Sequence, residues 1–122
     1  MNRIFVCSKF SGDIENNTDF ARLACEFVCK LGKAPLAPHL LYPQFLNDHS
    51  AEERDMGINS GMQWLMVSDE MWVFYEGEKL EWSRGMEQER IAAHSLNKAV
   101  RVFWYDEDGN FVEVLYEDPS SI

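Results

Sequence analysis

Four short, largely apolar runs, residues 4–7, 34–37, 71–75 and 99–105, are separated by segments whose apolar residues recur at three-four spacing. Runs without a polar alternate, such as Ile4-Phe5-Val6-Cys7 and Met71-Trp72-Val73-Phe74-Tyr75, need cover on both faces, as strands of a parallel sheet wrapped by helices have. The order strand, helix, strand, helix, strand, helix, strand therefore predicts a three-layer α/β fold of the flavodoxin-like, doubly wound kind. It would hold about four parallel strands with helices on both faces. Residues 106–110 read as a turn and residues 111–116 as an edge strand, so a C-terminal antiparallel hairpin closes one side.

The intervening segments carry helix punctuation. Phe20, Leu23, Ala24, Phe27, Val28 and Leu31 form the first apolar stripe, with Asp13 or Asn17 to cap its start and Gly32 to end it. Ser50 and Glu53 form a capping box for a second helix, whose expected inner face is Ile58, Met62, Leu65 and Met66. A third helix is expected over residues 83–97. Residues 39–48 are aromatic and proline-bearing without a period, which suggests a covering loop. Right-handed crossovers place the carboxyl ends of the strands on one rim. That rim collects the segment from Ser8 to Asp13, then His39, Tyr75 and the residues up to Ser83, and the start of the third helix. Ligands of such sheets bind there.

At 122 residues, with 46% hydrophobic content, the chain is expected to form one domain over residues 1–117 with a loose tail at 118–122. A formal charge of -10 and the lack of a basic stripe make a nucleic-acid polymer a poor partner. No apolar run approaches the roughly 18 residues of a membrane span, and the start lacks a signal-peptide core. Cys7, Cys25 and Cys29 are odd in number and lie in stretches that read as buried, which fits core packing in a reducing cytoplasm. His39, Asp48, His49 and Glu52 are metal-ligand types, but their spacing matches no metal motif; neither a metal nor another cofactor is expected.

Glu89 breaks the pattern. On a helix from Ser83 it falls within the stripe Met86, Ala92, Ala93 and Leu96, where a lone carboxylate is expensive. It must be paired, neutral or functional. One reading is an ion pair with Arg84 or Arg90 or a bond to helix-start amides; the other is a nucleophile, since the helix dipole favours the ionised form. His39 could act as a general acid, bind a ligand, or be a structural turn residue. Tyr75 and Trp82 flank the rim loop and could stack on a base, whereas mid-strand Trp72 and the stripe residues Met62 and Met66 should be core. Gly12 suits a loop that brings backbone close to a ligand or simply a tight turn. Asp69 reads as a supporting hydrogen-bonding residue at a strand start.

Together these motifs, Cys7-Ser8-x-x-Ser11-Gly12-Asp13, Ala37-Pro38-His39, Asp69-x-x-Trp72-Val73-Phe74 and Ser83-x-Gly85-Met86-x-x-Glu89, resemble the nucleoside 2-deoxyribosyltransferase-like superfamily. The nearest look-alikes are small bacterial and phage proteins carrying DUF4406 or its relatives. The likeness spans roughly residues 3–105. It implies N-glycosidic chemistry, hydrolase or transferase, on a nucleoside, nucleotide or nucleotide-sugar ligand. Glu89 matches the nucleophile that attacks the anomeric carbon. Ser8, Ser11, Gly12, Asp13, Ser83 and Gly85 match segments that hold sugar or phosphate, here expected to use hydroxyls and backbone amides without basic residues. A homo-oligomer is also implied. The chain departs from the pattern at Gly61, where the characterised enzymes carry a second carboxylate eight residues before the position of Asp69; neither Asp55 nor Asn59 replaces it cleanly. Ligand binding without turnover is the alternative.

Overall fold

The computed structural model describes residues 1–117; the expected tail at 118–122 lies outside the described residues. The order is β1 (Arg3–Cys7), α1 (Ile14–Lys30), β2 (Ala34–Leu36), two 3-10 turns (Pro38–Leu40 and Tyr42–Gln44), α2 (Ala51–Val67), β3 (Glu70–Glu76), α3 (Arg84–Ser95), β4 (Ala99–Tyr105) and β5 (Phe111–Val114). The sheet runs β2-β1-β3-β4-β5. Its first three pairings are parallel, and β5 returns antiparallel on β4. This is the doubly wound α/β arrangement with a C-terminal edge hairpin that the apolar runs imply.

Strand pleating divides the core. Ile4, Val6, Trp72, Phe74 and Phe103 point to one face and pack against Phe20, Ala24 and Val28 of α1. Phe5, Cys7, Met71, Val73 and Val102 point to the other, beneath Leu65 of α2 and Met86 and Ala93 of α3. On the α1 face Phe74 and Phe103 stack at 5.3 Å, and Phe27 meets both edge-on. Each fully buried side chain of this size contributes roughly 1.5–3 kcal/mol. Exposed ion pairs such as Arg101 with Glu113, at 2.7 Å, contribute at most about 1 kcal/mol, so apolar burial decides the fold. Asp69 stands at the opposite, amino-terminal edge, where its Oδ2 accepts a 2.7 Å bond from the Arg3 amide.

Several expected core positions are outside. Met66 is exposed, as are Leu23, Leu31 and Leu96, and Cys29 is exposed rather than buried. The inner line of α1 keeps the expected Phe20, Ala24 and Val28 and adds Ala21, and that of α2 keeps Leu65 and adds Gly61. The cause on α2 is steric. A Cβ at Gly61 would stand 3.3 Å from Pro38 Cγ, so the bare helix backbone admits the proline ring that opens the first 3-10 turn. Residues 39–48 thus wrap on α2 as tight turns rather than as an irregular loop. Gly61→Leu is expected to cost about 1–3 kcal/mol by overpacking. Gly85→Ala, whose added methyl meets nothing within 4 Å, should leave the chemical-denaturation midpoint unchanged or slightly raised.

Candidate active site

The strand order reverses direction between β1 and β3, and the crevice outside their carboxyl ends opens into a cavity of about 420 Å³. Ser8, Phe10 and Ser11 enter it from the loop after β1, and Pro38, His39 and Tyr42 from the turns after β2. Gly57, Ile58, Gly61 and Met62 face it from α2; Ser83, Arg84, Gly85, Gln88 and Glu89 face it from the start of α3. Four topologically separate segments therefore converge on one space.

Glu89 is placed by the pleat and the helix together. Cys7 ends β1 on the α2/α3 face and is fully buried, and its thiol donates a hydrogen bond to the Glu89 carboxylate. Protein walls surround that carboxylate, and the cavity is its opening. Burial pushes the Glu89 pKa up to about 7, with the thiol's bond pulling the other way. The Cys7 thiol is pushed well above its ordinary value by burial, then by the neighbouring negative charge and the bond it donates to Glu89. Neither arginine expected as a partner carries Glu89: Arg90 Nε donates at 2.6 Å to Glu87 instead.

His39 Nε2 and Ser8 Oγ share a 3.0 Å hydrogen bond whose direction follows the imidazole tautomer, and the Phe10 ring lies 5.5 Å from the imidazole. Burial lowers the His39 pKa to about 4. At neutral pH the ring is uncharged, which suits hydrogen bonding to a ligand better than donating a proton. Ser83 caps α3, its Oγ accepting from Met86 N at 3.3 Å, so the hydroxyl proton remains available to a ligand.

Of the residues singled out in the sequence, Ser8, Ser11, His39, Ser83, Gly85 and Glu89 share this cavity. Gly12, Asp13, Tyr75 and Trp82 do not line it. Gly12 makes the turn before α1 at φ +97, and Asp13 caps that helix by accepting from Asn16 N at 3.2 Å. Tyr75 lines a separate cleft beside the start of α1. Trp82 packs on Tyr116, under Arg90 and against the apolar cluster beneath α2 and α3. Arg54 and Arg84 also line the cavity, so basic groups stand beside the hydroxyls and amides considered for ligand binding. Arg54 lies on the α2 stripe of Gly57, Ile58 and Gly61, a spacing that carried the signal; Arg84, directly after the Ser83 cap, could be placed by its helix-start position.

The fold is shared with 2-deoxyribosyltransferases. The enzyme of Bacillus psychrosaccharolyticus superposes with a TM-score of 0.69 at 16% identity, over 98% of this chain and 88% of that one. That of Leishmania mexicana superposes with a TM-score of 0.60 at 15% identity, over 87% and 66%. Within that fold the chain belongs to the family described as a domain of unknown function, DUF7768, whose model matches residues 2–103. The narrower likeness to DUF4406-type proteins is not the one this match supports. Comparison with curated proteins gives no match. Among the described residues, no helix is long and apolar enough to cross a membrane.

The two displaced pKa values act on stability with opposite signs. The folded protein holds the Glu89 proton more tightly than the unfolded chain, so stability is lost as pH rises from 4.5 through about 7. The folded protein resists protonating His39, so stability is lost as pH falls from 6.5 towards about 4. Glu89→Gln keeps an acceptor for the Cys7 thiol and removes only the first effect. Its melting temperature should exceed that of the wild type by an amount that grows from about pH 5 to about pH 8.

Proposed function

We propose that the protein is an N-glycosidase or glycosyl transferase acting on a nucleoside or nucleotide, with Glu89 as nucleophile. The observation that carries this reading is the placement of one partly buried carboxylate in the same cavity as three serine hydroxyls, the α3 amino terminus and two guanidinium groups. A carboxylate beside a hydroxyl-lined wall is the arrangement required to attack an anomeric carbon while the sugar is held. Glu89 Oε would bond to C1′, and the C1′–N electron pair would leave with the base. Water, or a second base in a transferase, would then release the sugar from the carboxyl ester.

Ser8, Ser11 and Ser83 would hold sugar hydroxyls. Arg54, Arg84 and the amides at Gly85 would hold a 5′-phosphate, which the helix dipole also favours. Gly12 and Asp13 support the loop, and Phe10 and Tyr42 take the base-stacking role first assigned to Tyr75 and Trp82. His39 would orient Ser8 or the ligand. As a second reading, Pro38 fills the space beside Gly61 and His39 is neutral, which favours ligand binding without turnover, Glu89 then accepting from ribose hydroxyls.

The test follows free base by chromatography across nucleosides and nucleoside monophosphates. Release that falls on the order of 1000-fold or more in Glu89→Gln is the expected result. A ligand that raises the melting temperature equally in wild type and Glu89→Gln, with no base released by either, would move the assignment to binding.

A further inference from the structure

We propose that the site is built for N-glycosides whose base already carries a positive charge, such as a pyridinium or an N7-alkylated purine, an inference that rests on the N-glycosidic reading above. A neutral base leaves as an anion unless a proton reaches it, and supplying that proton is the work of a general acid. A cationic base leaves neutral. The carboxylate forms the C1′–O bond, the C1′–N pair cancels the positive charge on the ring, and no proton is needed. Water then cleaves the ester, giving the free sugar, the neutral base and one proton.

The inner cavity matches this balance. Gly61 on the α2 wall carries no side chain and is covered by the Pro38 ring, and the Cys7 thiol that bonds Glu89 is fully buried and outside the cavity lining. Met62 adds an apolar wall. His39 is the nearest conventional acid, but it is uncharged at neutral pH and its Nε2 is engaged with Ser8. Three other carboxyls, Asp48, Glu53 and Asp55, line the same cavity from α2 and the residues before it. Glu53 Oε1 accepts from the Asn47 amide at 3.1 Å, and Asp48 lies in the same approach to α2. Asp55 is exposed, about 9 Å along the helix axis from Gly61. Asp48, Glu53 and Asp55 outnumber Arg54 and Arg84 in the cavity lining, and with the Phe10 and Tyr42 rings they would favour a flat cation over a neutral base.

The experiment pairs cationic substrates with their neutral parents: 7-methylguanosine against guanosine, and nicotinamide riboside against inosine and uridine, each also as the 5′-monophosphate. Base release is corrected for the rate without protein and compared with a folded Glu89→Gln control. The expected result is a kcat/KM at least about 100-fold higher for the cationic member, the smallest advantage a missing general acid should leave. With nicotinamide riboside, whose pyridinium carries no titratable proton, the pH profile should rise through one ionisation to a plateau. Glu89-dependent turnover of the neutral parents within about tenfold, or an alkaline falling limb, would reveal a proton donor and overturn the substrate assignment while leaving N-glycosidic cleavage intact. No release from any substrate, or equal release by Glu89→Gln, would overturn both.

Discussion

Putting the Glu89 carboxylate against the buried end of β1 sets the conditions for everything around it. Burial of that carboxylate at the cavity wall disfavours its charged form, and its pKa climbs to about 7. The Cys7 thiol offsets part of the cost by donating to it, and that donor exists because the pleat of β1 turns Cys7 towards α3. An ion pair with Arg90 would have lowered the pKa and quenched the group. Arg90 is buried on the same face of α3 as Met86 and Ala93 and is bonded to Glu87, which leaves Glu89 to the cavity.

The sheet makes this placement possible. Because β1 and β3 are adjacent and parallel while their connections diverge, a crevice opens above their carboxyl ends without any interruption of the core beneath. The stacked aromatics under α1 and the aliphatic layer under α2 and α3 supply the rigidity. The cavity walls then come from segments that need not be regular. Gly61 shows the trade most clearly: removing a side chain from α2 lets Pro38 pack close, next to the His39–Ser8 contact, but leaves no acid at that position.

The strand sequence, the edge hairpin and the position of Glu89 were legible because they depend on local periodicity. A carboxylate inside an apolar stripe is visible without a structure. Side-chain direction at the rim was not, because loops have no period: Tyr75 and Trp82 flank the right loop yet both pack against the apolar cluster beneath α2 and α3, outside the cavity lining. Apolar count recovered the inner face of α2 only in part, through Met62 and Leu65. The tightest contact there is made by a glycine, which scores as nothing in a hydrophobic stripe, while Met66 faces out. The partners of Glu89 were equally hidden, since Cys7 is 82 residues away in the chain and meets it only through the β1–α3 packing. The arginines of the cavity mouth were overlooked because net charge was read for the whole chain, and -10 conceals two cations gathered at one opening.

The most direct measurement is to trap the sugar on the protein. A 2-fluoro-substituted nucleoside slows breakdown of a glycosyl ester more than its formation, and intact mass spectrometry followed by tryptic fragmentation locates any adduct. Cleavage after Arg84 and Arg90 gives the peptide Gly85-Met86-Glu87-Gln88-Glu89-Arg90, in which fragment ions separate the two carboxylates. A mass increase equal to one fluorosugar, carried by Glu89, is the result expected of a nucleophile. An adduct on Glu87 or elsewhere, or base release with no adduct at all, would contradict it.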